Sequence, residues 1–211
     1  MDEMTSGYKP VIEEICGLDW AALDRAQLSA VAWAYYYFSI QFRENLQVAL
    51  AAHPDDEQLQ HLVKEECNTH NLSPWPKVAA PDEKLDHDEF MRRLLDLSPI
   101  DRDVQASIEA AGQRYLAKIR QVDDRVRAMS IASYEAGGLE AVFEAILQAQ
   151  HWDTPLLEAF RHFLVKHIDF DSDPDQGHGA LVQHLVPDDR IRCLWVGFRD
   201  LLITSVPRLM M

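Results

Sequence analysis

Apolar residues recur at three- and four-residue spacings along almost the whole chain, and no stretch alternates apolar and polar positions as a half-buried strand would. The pattern therefore predicts helices. A short amphipathic segment runs from Val11 to Cys16. Asp19 or Asp24 then caps a long helix that reaches about Ala52 and stops at HPDD, where Pro54 opens a second helix, about Asp55 to Asn68. Prolines 74, 76 and 81 in NLSPWPKVAAPDEK forbid a regular helix and define a Pro-rich loop over 69–85. A loop of that length inside a compact domain often carries function. Helix resumes near Asp86 in HDEFMRRLLDL and again from about Asp101 to Val122. A further helix reaches about Glu135, where Gly137-Gly138 breaks or kinks it. LEAVFEAILQAQHW follows. DTPLLEAFRHFLVKHI comes next, with an Asp or Thr cap and Pro155 in its first turn. After an acidic loop over 171–178, GALVQHLVP makes a short helix. The last helix places Ile191, Leu194, Trp195, Phe198, Leu201 and Leu202 on one face.

These elements make an all-α chain: one multihelical bundle of seven to nine helices over residues 1–211, with no internal repeat. Ala26 to Phe42 holds 17 residues without a charge, the short end of a membrane span, but Gln27, Ser29, Ser39 and Gln41 dilute it. It reads as a helix buried on most sides of a bundle. Apolar residues make up 47% of the chain, enough for a packed core. The net charge of -15 argues against nucleic acid or an anionic membrane as partner, since both are polyanions. It leaves room for an acidic cluster that holds a cation. The N-terminus shows no signal-peptide pattern, and the three well-separated cysteines form no disulfide framework or zinc ribbon, so a cytoplasmic location is expected.

Candidate chemistry lies where carboxylates and imidazoles fall on apolar stripes. Glu44 follows Tyr37 and Ile40 and precedes Val48, all at helical spacings, so it needs a metal, a proton or a cation. A distant arginine or a place at the edge of the core would serve equally. Glu66 extends the inner face of Leu62 and Val63, with Glu65 turned further out, though such a pair also suits a solvated face. His87 shares the stripe of Phe90, Met91 and Leu94, and a helix cap or a satisfied core histidine is the plain alternative; His70 on the loop is its rival. His167 and Asp171 are four apart and face one point if the helix continues. His178 follows in HIDFDSDPDQGHG, which holds four aspartates and two histidines in thirteen residues. Imidazole and carboxylate together suit iron, manganese or zinc. Together these residues supply what a helical bundle needs to hold a dimetal centre.

On these motifs the chain resembles the heme-oxygenase-like helical superfamily. In particular it resembles the branch of diiron oxidases known as CADD-like or iron-containing redox enzymes, relatives of the TenA and PqqC folds. Glu44 in FRENL matches the family's Glu on the first core helix. Glu66 in KEEC and His87 in HDEFMRRLL match its Glu and following His. His167, Asp171 and His178 match its late HxxxDxxH. The likeness covers about residues 25–205. It implies a heme-oxygenase-like bundle, two iron ions (or manganese, or a mixed pair) and dioxygen as co-substrate. It implies Glu44, Glu66, His87, His167, Asp171 and His178 as metal ligands, with Glu44, Glu66 and His167 carrying catalysis on a small organic substrate. Folds of this kind also admit homodimers. The chain departs from the family twice: the Pro-rich loop separates Glu66 from His87, and Asp171 stands far from His178, so that Asp175 competes with Asp171. Two other readings stay open on the sequence. One is a metal-free PqqC- or TenA-like enzyme, the TenA type working through a cysteine such as Cys67 or Cys193. The other is a helical carrier of a small apolar ligand without catalysis.

Overall fold

A computed structural model describes residues 7–171, 178–182 and 184–211, apart from the side chains of residues 171, 179 and 180. The described chain is all-α, and among the described residues the only extended pairings are two isolated bridges in the Pro-rich loop, Thr69 with Leu85 and Trp75 with Ala79. The helices are α1 (Lys9–Cys16), α2 (Arg25–Ala52), α3 (Glu57–Glu66), α4 (His87–Leu95), α5 (Arg102–Ile119), α6 (Asp124–Ser133), α7 (Leu139–Ile146), α8 (Pro155–Asp171), α9 (His178–Leu181) and α10 (Arg192–Ser205). A π-turn over Tyr134–Gly138 joins α6 to α7. With that pair taken as one kinked rod and the single turn of α9 set aside, eight helices form the bundle, as the periodicity predicts.

Helix α2 is the axis of the fold and packs against α3, α4, α5, α6, α8 and α10. Asp24, not Asp19, starts it. The Asp24 carboxylate accepts from the Gln27 backbone N–H and the Gln27 side chain accepts from the Asp24 N–H, a reciprocal cap that satisfies two donors at once. Leu28, Val31, Phe38 and Leu46 on α2 are fully buried. Each contributes roughly 1.5–3 kcal/mol through the apolar area it removes from water. No described helix is long and apolar enough to cross a membrane, and the uncharged run of α2 is instead covered by its neighbours. The predicted face of α10 is buried residue for residue: Ile191, Leu194, Trp195, Phe198, Leu201 and Leu202 all enter the core.

Three local details position the site. Helix α3 is shorter than its pattern suggests. Pro54 lies in the turn before it, the Asp56 side chain caps it by accepting from Gln58 and Leu59, and Asn68 at φ 50 ends it in the left-handed region that asparagine tolerates. The Pro-rich loop leaves and returns at one place. Thr69 and Leu85 exchange backbone hydrogen bonds of 3.0 and 2.8 Å, and the Asn68 N–H donates to the Asp86 carboxylate at 2.8 Å. The end of α3 and the start of α4 are therefore neighbours in space. The Gly137-Gly138 pair kinks the α6–α7 rod without breaking it. Gly137 takes φ 90, and a Cβ on Gly138 would stand 2.2 Å from the Ser133 carbonyl and 2.9 Å from the Trp195 ring, so only glycine fits.

Candidate metal centre

The kink and the clamped loop bring five ionisable side chains together from four helix ends and one irregular turn. Glu66 is the last residue of α3, His87 the first of α4 and His178 the first of α9. His167 lies in the last turns of α8, and Glu135 sits in the π-turn. All five are buried, between 4% and 7% exposed. Glu66 is the hub. Its Oε2 lies 2.7 Å from His87 Nδ1, and its Oε1 lies 3.1 Å from His178 Nδ1. His87 Nδ1 is in turn 3.1 Å from His167 Nε2, and His178 Nδ1 is 3.2 Å from Glu135 Oε2. The donor atoms of Glu66, His87 and His167 all lie within 4.8 Å of one another, the span of one ion's ligands.

The proton position on the His167 ring follows from its outer contact. His167 Nδ1 is 2.7 Å from the Phe163 carbonyl, which can only accept, so Nδ1 carries the proton and Nε2 presents its lone pair inward. Phe163 also lies against the His167 ring at 4.2 Å between centroids and holds its plane. Burial, then the neighbouring His87, push His167 down to about 3, so it is a neutral ligand at neutral pH. Burial would push the Glu66 carboxyl up, but the facing imidazoles, His87 first, outweigh it and hold Glu66 ionised, well below the usual carboxylate range. Glu66 Oε1 is closed off from solvent yet accepts no hydrogen bond of good geometry among the described residues.

A small cavity of about 20 Å³ adjoins the cluster. Tyr35, Phe42, Leu139 and Phe163 form apolar walls, and Glu66, His87, His167 and Glu135 lie along the same cavity. Arg43 and Cys67 are its lining residues that are not fully buried, so they mark its rim. Arg43 clasps Asp88 there, Nε to Oδ1 at 2.9 Å and the terminal nitrogen to Oδ2 at 2.8 Å.

Of the residues expected from the sequence, Glu66, His87, His167 and His178 meet in this cluster. Helix α8 does continue through Asp171, whose side chain lies outside the described residues, as does Asp175. Glu65 turns out and only its backbone carbonyl is engaged, accepting from Asn71; His70 is exposed. The expectation for Glu44 is corrected. It lies away from the pocket and forms a two-pronged pair with Arg120 at 2.6 and 3.0 Å, with buried Arg127 at 3.8 Å. Ile40 and Val48 on its stripe are only half-buried, so that stripe is the edge of the core. The large polar residues that α2 buries completely are one position on from Ile40 and Glu44, Gln41 and Asn45, both at 0% exposure. The sequence reading missed Glu135. Its signal was the Gly-Gly pair two residues on: a π-turn inserted into a helix is a frequent mark of a functional site and rotates the preceding side chain inward.

Neither protein-family models nor curated proteins nor solved structures yielded a match to this chain.

Proposed function

We propose that the chain is a metal-dependent oxidoreductase that oxidises a small organic substrate with dioxygen, holding two transition-metal ions in the Glu66 cluster. The observation that carries the reading is the convergence of ligand atoms. His167 Nε2 faces His87 Nδ1 at 3.1 Å, with Glu66 Oε2 2.7 Å from the latter. Such ligand-to-ligand spacings suit cis positions on an ion with bonds of about 2.0–2.2 Å. Glu66 Oε1, closed off from solvent, accepts no hydrogen bond of good geometry among the described residues. His87, His167 and one oxygen of Glu66 would hold the first ion. The other oxygen of Glu66, with His178 and Glu135, would hold the second.

Iron or manganese bound there supplies electron transfer to dioxygen, which no side chain in the cluster provides. The protein's own residues do the rest. Both imidazoles are buried, and His167 is held neutral, so its lone pair is available without a pH change. Tyr35, Phe42, Leu139 and Phe163 wall off bulk water from the cluster and leave a space of the size of a diatomic molecule. Arg43 at the rim, held by Asp88, would meet the polar end of a substrate. The resemblance of the motifs around Glu66, His87, His167 and His178 to the iron-containing redox enzymes supports iron and dioxygen over a redox-silent ion. A thiol mechanism is poorly supported. Burial, then Asp86 and Glu66, push the Cys67 thiol up to about 12, so it is not the thiolate a nucleophile requires.

The test is anaerobic loading of metal-free protein with ferrous iron, followed by metal analysis and exposure to dioxygen. The expected result is about two irons per chain, an oxygen-dependent absorption change, and loss of both in His167→Ala. Iron held at well below one per chain, equally by native protein and by His167→Ala, would overturn the reading.

A further inference from the structure

We propose that a surface cleft between the Pro-rich loop and α8, outside the Glu66 cluster, is a binding site for a small betaine-type zwitterion, a trimethylammonium group joined to a carboxylate. It does not depend on metal in the cluster.

The cleft has a volume of about 490 Å³ and is lined by Trp75, Trp152, Glu158, Arg161, His162 and Val165. Small-molecule sites fall in the range of roughly 300–1,000 Å³. Trp75 comes from the loop, Trp152 from the segment before α8, and the others from α8 itself. Both indoles are half-buried and held by their own contacts. Trp75 lies against the His162 ring at 4.6 Å between centroids, and its backbone N–H and carbonyl are both tied to Ala79, each at 2.9 Å. His162 is in turn anchored against the Leu72 carbonyl at 3.2 Å. Trp152 donates its Nε1–H to the Ala149 carbonyl at 2.7 Å and rests on Phe160. Neither ring has to be ordered when a ligand arrives, which removes one cost of binding.

The charges at the cleft point to what it takes. Glu158 and Arg161 stand three apart on α8, both exposed, and among the described residues neither side chain enters a hydrogen bond or an ion pair. Glu89 and Arg92 on α4, in the same order and at the same spacing, close on each other at 2.7 and 2.8 Å. The charges that flank the cleft are already matched, Asp153 by Arg25 and Lys166 by Asp169. The cleft therefore offers one open carboxylate and one open guanidinium beside two indoles.

Indole faces attract a cation through the ring quadrupole, and most of all one that holds its water weakly. A trimethylammonium meets that demand and sets its methyl groups against Val165, whereas a primary ammonium is strongly hydrated. Glu158 supplies the counter-charge. Arg161 accepts a carboxylate in the two-pronged geometry that a guanidinium favours. A ligand with a single charge would leave Glu158 or Arg161 unmatched, so the complement is a zwitterion.

The experiment is a titration of the full chain with glycine betaine, followed by nitrogen–proton NMR of the five tryptophan indoles, each assigned by single substitution. Trp75 and Trp152 are expected to shift saturably at roughly millimolar concentration. Trp20 and Trp195, buried in the core, should not move. Choline, which lacks the carboxylate, and glycine, which lacks the methyl groups, should each bind about tenfold more weakly. Glu158→Gln and Arg161→Gln, both at exposed positions that leave the fold intact, should each weaken betaine about tenfold, and Arg161→Gln should leave choline affinity unchanged. Trp152→Leu should weaken both ligands. The absence of a saturable shift at Trp75 and Trp152, equal binding of glycine and betaine, or a betaine affinity unaltered in both Glu158→Gln and Arg161→Gln overturns the proposal.

Discussion

Glu44 and Glu66 are both carboxylates on helices of the same bundle, and they meet opposite fates. Glu44 faces two guanidiniums. Arg120 grips it with both prongs, and Arg127, itself anchored to Asn45 at 2.9 Å, approaches from the buried side. Arginine stays charged at any physiological pH, so Glu44 always has its counter-charge. Glu66 faces three imidazoles and a second carboxylate, and no Lys or Arg is paired with it among the described residues. Its partners are neutral ligands as readily as cations. The difference teaches that burial of a carboxylate says little about function until its counter-charge is known. A fixed cation makes a structural clasp, and a ring of lone pairs makes a place for an ion.

The comparison can be broken most sharply at Glu135. If the two sides of Glu66 serve two ions, Glu135→Gln should reduce bound iron from about two to about one per chain, and the retained ion should still depend on His167. Metal analysis decides it, and two irons retained would remove Glu135 from the ligand set.

A smaller effect should appear in the pH dependence of stability of metal-free protein. The unfolded chain protonates the His167 imidazole near 6.5, whereas in the folded chain that ring waits until about pH 3. As pH falls below 6.5, protons bind the unfolded state first, so stability is full above 6.5 and declines below it. The contribution is at most about 1.4 kcal/mol per pH unit. Above pH 4.5 the Glu66 carboxyl adds nothing, since its ordinary value lies there. Denaturant titrations between pH 7 and 4.5 should therefore give a shallower decline in His167→Asn than in native protein, and equal slopes would show that the folded ring is protonated.

The smallest effect belongs to Glu44→Gln. The Glu44 side chain is 24% exposed and Arg120 is 49% exposed, so solvent screens the pair. A loss of about 0.5–1 kcal/mol in a chemical melt is expected, with metal content unchanged. Iron lost together with Glu44 would return this residue to the centre.

Much of this protein was legible along the chain. Three- and four-residue apolar spacing, Asp24 before a long run, prolines at 74, 76 and 81, and a Gly-Gly pair after Glu135 locate nearly every helix and both interruptions, because helix capping and backbone geometry are local effects. Glu66, His87 and His167 could be picked out because each lies on or beside an apolar stripe, and His178 because it follows His167 in HIDFDSDPDQGHG. The stripe around Glu44 misled for a reason specific to α2: a helix buried on nearly every side has no single inward direction, so neighbours in sequence cannot tell which polar residue faces the centre and which the rim.

What the local pattern determined is which residues form helices and four of the five side chains of the buried cluster. The tertiary structure alone decided who meets whom. Arg120 and Arg127 reach Glu44 from α5 and α6, and the loop closes so that residues 66 and 87 touch. One extra residue in a helical turn swings Glu135 onto His178. Those pairings are set by the packing of distant segments. The charge that neutralises a buried carboxylate, and therefore what that carboxylate can bind, is a property of the assembled core.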